Sequence, residues 1–161
     1  MKKLLSALLV LVMLLSLPGI GALAASDELT WSLDKKGTLT ISGKGEMPDY
    51  SGDTPPWVKY RDDIKAVVIE EGVTHIGAQC FQFCTNLKSV TIPSSVESIG
   101  AAAFYRCEKL SAVYYGGTAS DWNKIEIERY NKRLTSAELV IADTETSAPA
   151  PSGKPVGGKL K

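Results

Sequence analysis

The side chains in this sequence that could do chemistry are three cysteines, one histidine and a few adjacent acids. His75 is the only histidine, and no Cys-x-x-Cys motif accompanies Cys80, Cys84 and Cys107. Zinc sites usually draw Cys and His ligands from such closely spaced motifs, and a Ser or Cys nucleophile needs a base beside it. A single histidine therefore makes both a metal site and a catalytic triad weak interpretations of this sequence.

The acidic pairs Asp62-Asp63 and Glu70-Glu71 are the remaining candidates for catalysis. Hydrolysis by paired carboxylates requires two acids that converge in a cleft, whereas adjacent acids on a turn or at a strand end are more simply solvated surface. The segment 43–45 (GKG) is too short to indicate phosphate binding. We therefore predict no catalytic, metal-binding or cofactor-binding residues, and no enzymatic activity.

The element that must position these side chains is a 23-residue block that occurs twice in succession, at 64–86 and 87–109. Aligned without a gap, the two blocks agree at nine positions. A fixed period of this length, with apolar residues at L-x-x-L-x-L spacing, is typical of a solenoid of stacked coils that each contain a strand. The identical pairs are Lys65/Lys88, Val67/Val90, Ile69/Ile92, Val73/Val96, Ile76/Ile99, Gly77/Gly100, Ala78/Ala101, Phe81/Phe104 and Cys84/Cys107.

Each block begins with a strand pattern and ends with a turn. Alternating apolar residues such as Val67 and Ile69 predict a short strand with one buried face. The second half of the block bends at a glycine, and we expect Phe81 and Phe104 to fill the interior of their coils. Stacking of successive coils buries the remaining apolar edges and pairs the strands in parallel.

Degenerate copies of the strand extend the repeat in both directions. We predict a repeat solenoid, a right-handed coil with a short parallel β-sheet and about five coils, two of them regular. The aligned strand positions are Leu39, Val67, Val90, Val113 and Leu139.

Both ends of the solenoid need a cap, because an open edge would expose unpaired backbone and core. The stretches Leu29–Leu33 and Thr38–Ser42, joined by the turn DKKG, predict an N-terminal β-hairpin cap. We expect Trp57 and Tyr60 to plug this end of the core. Trp122, in a short polar helix, is expected to plug the other end.

Cys84 and Cys107 occupy the same position in successive coils. Their Cα atoms should lie about 4.8 Å apart, a distance that a disulfide can span. Side chains in such a ladder point in parallel into the core, however, and a buried free cysteine packs as a small apolar group. We expect buried thiols, with a disulfide as the alternative; Cys80 faces Ala103 and has no partner.

Residues 1–24 predict a cleavable signal peptide, with Lys2-Lys3, an apolar core and the A-x-A site Ala22–Ala24. A membrane anchor is the weaker alternative, because the apolar stretch is short for a span. Loss of the two lysines leaves 16 basic against 18 acidic residues. We expect a secreted or cell-surface protein with no membrane span after cleavage, and no binding to nucleic acid, which would require a basic stripe.

The predicted organisation follows from these features. Residues from Thr144 onward are rich in Pro, Gly, Ser, Ala and Lys and cannot bury enough surface to fold. After the signal peptide, 1–24, we predict an N-terminal capping unit, 25–63; two regular repeats, 64–109; a C-terminal capping unit, 110–142; and a disordered tail or linker, 143–161.

One row of strand positions should point outward between the buried rows. The neighbouring rows consist mostly of small residues, so this side of the sheet should be shallow, with few charges and an aromatic at Tyr114. Such a surface is either an ordinary solvated face or a site for a partner. The candidate binding residues are Thr40, Val68, Thr91, Tyr114 and Val140.

The repeat resembles that of the BspA-like leucine-rich repeat proteins of bacterial surfaces. The resemblance rests on the pattern LxxVxIPxxVxxIGxxAFxxC over 87–107. The flanking stretches WSLDKKGTLTISGKGEMPDY, PPWVKYRDDIKAVVIEEGVTHIG and VYYGGTASDWNKI are similar to the flanking units of that family, and together they cover nearly all of 29–141. Gly72 and Ser95 stand where eukaryotic-type repeats have asparagine, which separates the chain from that type.

The resemblance implies an exported or surface-exposed bacterial protein, and adhesion to host matrix proteins or other cells is known for some members. The leading hypothesis is therefore an adhesion-type module whose partner is an extracellular protein or glycan. The alternative is a structural spacer or presenting domain of a larger surface protein. Solenoids bind along extended surfaces more often than they catalyse.

Overall fold

The computed structural model describes residues 28–50, 55–141 and 156–159. The predicted signal peptide and most of the predicted tail lie outside the described residues. Two four-residue helices, α1 (Ala119–Trp122) and α2 (Lys132–Thr135), and a 3-10 turn at Val58–Tyr60 accompany the strands. The strands are β1 (Thr30–Leu33), β2 (Thr38–Ser42), β3 (Gly45–Glu46), β4 (Ala66–Ile69), β5 (Val73–Ile76), β6 (Ser89–Ile92), β7 (Ser98–Ile99), β8 (Ala112–Tyr115), β9 (Glu126–Ile127), β10 (Glu138–Ile141) and β11 (Val156–Lys159).

The first sheet has the order β10-β8-β6-β4-β2-β1-β11. Its strands β2, β4, β6, β8 and β10 are parallel, as stacking of equivalent coil segments requires. The sequence alignment of the strand positions is confirmed in the strand register. The register partners are Leu39 and Val67, Val67 and Val90, Val90 and Val113, and Val113 and Leu139.

A second sheet, of order β3-β5-β7-β9, lies along another side of the coils, and its pairs are also parallel. It pairs His75 with Ser98, and Ile76 with Ile99. The sequence predicts only one sheet, so the second sheet is an addition to the predicted fold. Its strands are two to four residues long, too short for alternation of apolar residues to reveal them.

The interior of the coils contains a column of aromatic rings. Trp57 stacks on Phe81 with ring centroids 5.6 Å apart, and Phe81 stacks on Phe104 at 5.2 Å. All three side chains are buried. The indole Nε1 of Trp57 donates a hydrogen bond of 2.9 Å to the carbonyl of Cys80, so its one polar atom is satisfied in the core. The expected interior positions of these residues are confirmed, and Tyr60 is partly buried against the same core.

The predicted N-terminal hairpin is present as β1 and β2, which pair antiparallel with Trp31 opposite Ile41. Its outer edge is covered, because β11 pairs antiparallel with β1 and places Gly158 opposite Trp31. This strand, Val156–Lys159, lies within the segment 143–161, for which the sequence predicts a disordered tail or linker. Its composition cannot build a core, but strand addition to an edge needs only backbone donors and acceptors.

At the other end, α1 begins with a capping box in which Thr118 and Asp121 each bond to the other's backbone N–H. The helix holds Trp122 against Tyr115, with ring centroids 5.2 Å apart and nearly perpendicular. Trp122 is half-buried against the core, as expected of a plug. Leu139, aligned with the buried Val113, is 36% exposed, because β10 is the outermost strand of the described sheet.

Candidate binding face

The five candidate residues form one continuous row across the first sheet. Successive members are register partners from β2 to β10. The structure therefore brings together all of the predicted site residues. In order along the row they are Thr40, Val68, Thr91, Tyr114 and Val140.

Exposure along the row is uneven. Tyr114 is 45% exposed, while Val68, Thr91 and Val140 are half-buried. Thr40 is only 6% exposed, so its prediction as a contact residue is wrong. Its register partners on the sheet are Ser32 of β1 and Val68 of β4.

The tyrosine pair in β8 shows why one ring is available and the other is not. Strand side chains alternate between faces, and Tyr115 is buried in the core where Tyr114 is exposed. The ring of Tyr115 packs edge-on against Trp122. The two neighbours therefore have opposite surroundings within one rigid strand.

The row beside Tyr114 consists of small, half-buried residues, so the ring projects above its surroundings. Consecutive register pairs connect these residues across the sheet. Glu138 extends the same row on β10 and is exposed. The small members are Thr38, Ala66, Ser89 and Ala112. We refer to this outward side of the first sheet as the strand face.

Ser98 and His75 of the second sheet lie in a line with Asp49, which follows β3. His75 Nδ1 lies 2.7 Å from Ser98 Oγ, and His75 Nε2 lies 3.5 Å from Asp49 Oδ1. The repeat alignment places His75 and Ser98 at the same position of successive coils. Their hydrogen bond could not be predicted from that alignment, because it depends on the pairing of strands in the second sheet. It links register partners on β5 and β7.

This constellation has the residue types of a hydrolase triad without its geometry. A triad aspartate is buried and holds the imidazole in one orientation. Here the Asp49 side chain is 64% exposed and its contact with His75 is at the limit of a hydrogen bond. Asp49 Oδ1 also accepts the backbone N–H of Ala78 at 2.5 Å. We interpret the group as a polar link between adjacent strands.

The three cysteines are buried and free among the described residues. Cys107 Sγ donates to the carbonyl of Phe81 at 3.1 Å, so this thiol serves as a core hydrogen-bond donor. Burial raises the pKa of Cys84 to about 12 and also raises the pKa values of Cys80 and Cys107. Within the described ranges, no group of three Cys, His or acidic residues is arranged to hold a metal.

A comparison with solved structures finds a similar protein of known fold. It is a leucine-rich repeat protein from Eubacterium ventriosum, with a TM-score of 0.52 and 41% sequence identity. The match covers 56% of this chain and 24% of that protein. The chain therefore spans about a quarter of the length of that relative. A comparison with curated proteins gives no significant match.

The repeat region matches a known family. Six copies of the "BspA type Leucine rich repeat region" match within residues 59–139. In the part of the chain that the structure describes, no helix is both long and apolar enough to cross a membrane. The repeat, its parallel sheet and this match agree: the chain belongs to the BspA-type leucine-rich repeat family.

Proposed function

We propose that this chain is an exported bacterial surface module that binds an extracellular protein or glycan through the strand face. The observation that carries the proposal is the exposure of Tyr114. Its ring is 45% exposed on a strand that is paired on both sides, and the neighbouring row of the sheet consists of small residues. A solenoid presents such a continuous surface because equivalent positions stack along its axis.

The energetics of association favour an aromatic anchor in this setting. Binding becomes less favourable when side chains that are mobile in the free protein must become ordered. Tyr114 is fixed at its backbone on both sides, since β6 and β10 pair with β8. Aromatic residues are enriched among interface hot spots. A partner that packs around Tyr114 would gain contact area over Val68, Thr91 and Val140 at little entropic cost.

The proposal extends to the location and the shape of the molecule. Export is supported by the signal-peptide pattern at 1–24 and by membership of a family of bacterial surface repeats. We propose a right-handed solenoid of about five coils whose hairpin β1–β2 caps the first one. Right-handed connection of parallel strands in one sheet is the strong general preference.

A structural spacer is the second candidate function. It is favoured by the uneven exposure of the row, in which Thr40 is buried and contact area is concentrated on one ring. In a spacer the strand face would be ordinary solvated surface, and loss of Tyr114 would change no interaction.

The test compares Tyr114→Ala with Tyr115→Ala on immobilised extracellular-matrix proteins and glycans that retain the wild-type chain. We expect Tyr114→Ala to lose retention and keep its melting temperature, because its ring is exposed. Tyr115→Ala should lower the melting temperature, because its ring is in the core. Lys35→Ala truncates an exposed side chain on the turn between β1 and β2, away from the strand face, and serves as the control.

Unchanged retention in Tyr114→Ala would contradict the binding role of the strand face. So would a larger loss of stability at Tyr114 than at Tyr115. If no ligand in the set retains the wild type, the spacer becomes the better account.

A further inference from the structure

A second exposed surface lies on the side of the coils that follows the second sheet. Three aromatic side chains there are exposed, Phe83 by 42%, Tyr105 by 37% and Tyr130 by 63%. Each lies after a strand of the second sheet and before the next strand of the first, so they occupy one side of three successive levels. We call these three residues and their arginine neighbours the aromatic–arginine ridge.

The rings of the ridge contact one another across the levels. Phe83 and Tyr105 meet edge to face at a centroid distance of 5.7 Å, and Tyr105 and Tyr130 do so at 6.4 Å. The backbone N–H of Phe83 donates to the carbonyl of Tyr105 at 2.8 Å, which fixes the spacing of the first pair. These rings form a continuous surface rather than separate exposed side chains.

An arginine lies over each ring of the ridge. The guanidinium carbons of Arg61, Arg106 and Arg129 are 5.7, 5.6 and 5.6 Å from the centroids of Phe83, Tyr105 and Tyr130, respectively. These distances are within the range of cation–π contacts. The ridge therefore combines flat apolar area with positive charge.

The backbone of the ridge adopts conformations that non-glycine residues rarely take. Phe83, Arg106 and Tyr130 have φ values of +61°, +60° and +67°. A left-handed conformation costs an L-residue roughly 1–2 kcal/mol, and such strain is concentrated at functional sites. Gln79 and Ala102 also have positive φ values and are likewise 23 residues apart, so this conformation belongs to the turn that successive coils make after the second sheet.

The C-terminal part of the ridge opens into a pocket of about 300 Å³. Its three cations and one acid give it a net charge of about +2. The acid, Glu108, pairs with Arg106 at 3.7 Å and also with Arg133. The lining residues are Tyr105, Arg106, Glu108, Tyr130, Lys132 and Arg133.

The cations of this pocket are carried on a firmly anchored element. Lys132 and Arg133 lie on α2, whose Leu134 is buried in the core. The preceding Asn131 is also buried, and its side chain donates to the carbonyl of Gly100 at 2.9 Å. The backbone that carries these charged groups is thus fixed beside Tyr130 before any ligand arrives, which removes part of the entropic cost of binding.

We propose that this pocket binds a carboxylate-bearing sugar unit, such as a uronic acid of an acidic glycan. Arginine guanidinium groups recognise carboxylates through paired, charge-assisted hydrogen bonds. Arg133 donates to Glu108 through Nη2, and its other N–H groups, together with Lys132, would supply the contact with the ligand. The exposed ring of Tyr130 offers its electron-rich face to the C–H groups of a sugar ring. Glu108 would accept hydrogen bonds from sugar hydroxyls.

Glu108 is the residue that favours a sugar over an acidic peptide. An acidic glycan and an acidic peptide both carry carboxylates that Glu108 repels, but only the glycan has hydroxyls that can donate to it. The pocket volume is at the small end of ligand sites and suits one or two sugar rings. The ridge is separate from the strand face, so either site can exist without the other.

The experiment measures binding of the full chain to three probes by isothermal titration calorimetry. These are an oligogalacturonate, its neutral methyl ester, and a poly-glutamate of matched charge. We expect the oligogalacturonate to bind, the methyl ester to bind at least about tenfold more weakly, and the poly-glutamate to bind more weakly than the sugar acid.

Two variants assign that binding to the pocket. Arg133→Gln removes a cation without altering the backbone, and Tyr130→Asn removes the ring with a residue that tolerates positive φ. Each should weaken oligogalacturonate binding by roughly tenfold or more. Lys35→Gln, an exposed charge on the β1–β2 turn, and Tyr114→Ala, on the strand face, should not change it.

Four results would overturn the proposal. Equal affinity for the ester would show that the carboxylate is not recognised, and equal or tighter binding of poly-glutamate would assign the pocket to acidic peptides. Failure of the wild type to bind the oligogalacturonate, or full binding by folded Arg133→Gln, would remove the pocket as its site. None of these results bears on Tyr114.

Discussion

At the scale of single residues, stability depends on side chains that fill the narrow interior of the coils. Phe104 is fully buried and stacks on Phe81, which in turn stacks on Trp57. Each coil supplies one ring to this column, so no other side chain of the same coil can replace a missing one. Native interiors are close-packed, and a vacancy in such a column is only partly refilled by relaxation.

Truncation of Phe104 to alanine should therefore be strongly destabilising. We expect Phe104→Ala to lower the free energy of unfolding by about 3–5 kcal/mol, measured by chemical denaturation. The neighbouring variant Tyr105→Ala is the control, because that ring is on the surface and its loss should cost much less. Similar melting curves for Phe104→Ala and wild type would contradict the packing described above.

The buried cysteines should be chemically silent in the folded protein. Burial raises the pKa of Cys84 to about 12, so its reactive thiolate form is scarce at neutral pH. We expect a thiol reagent to label almost nothing in the native chain and to find three free thiols after denaturation without reductant. Recovery of one thiol would show that Cys84 and Cys107 are bonded.

At the scale of elements, the buried side chain of Asn131 reinforces the backbone bonds that join the last regular repeat to the C-terminal cap. The side chain of Asn131 accepts the backbone N–H of Phe104 at 3.0 Å and donates to the carbonyl of Gly100 at 2.9 Å. Between Gln79 and Ala101, and between Phe81 and Ala103, backbone groups make the bonds between levels. An amide side chain thus replaces part of a missing backbone ladder.

Removal of that amide should leave buried backbone groups without partners. We expect Asn131→Ala to reduce the free energy of unfolding by roughly 1–3 kcal/mol, measured by chemical denaturation. Asn123→Ala is the control, since Asn123 is exposed and follows α1. Equal stability of the two variants would show that water satisfies the groups that Asn131 now pairs.

At the scale of the whole molecule, strand and irregular structure dominate, and the described helices α1 and α2 have four residues each. Far-UV circular dichroism of residues 25–161 should accordingly show a strand-dominated spectrum with little helix. A helix-rich spectrum would contradict the solenoid. The measurement also provides the folding check for every variant above.

Much of this architecture could be predicted from the sequence, because one period of the repeat corresponds to one level of the solenoid. Identical residues 23 positions apart become neighbours in space, as for Val67 and Val90. The strand register and the row that contains Tyr114 follow from that rule. The buried position of Tyr115 follows from strand alternation.

Features that break the period were decided by the tertiary structure. Phe83, Tyr105 and Tyr130 are separated by 22 residues (83 to 105) and 25 residues (105 to 130), so an alignment at 23 does not place them together. Their contacts depend on how each coil closes after the second sheet. The adjacent arginine–tyrosine pairs at 60–61, 105–106 and 129–130 were the signal in the sequence.

The sequence alone determined the repeat, its buried rows and the inward or outward direction of each strand position, because these depend on local periodicity. Tertiary structure decided the burial of Thr40 and the pairing of Val156–Lys159 with β1. It also decided the exposure of Leu139, which occupies the same repeat position as the buried Leu39. Each depends on which segment lies beside a given backbone edge. No periodicity within the segment encodes that neighbour.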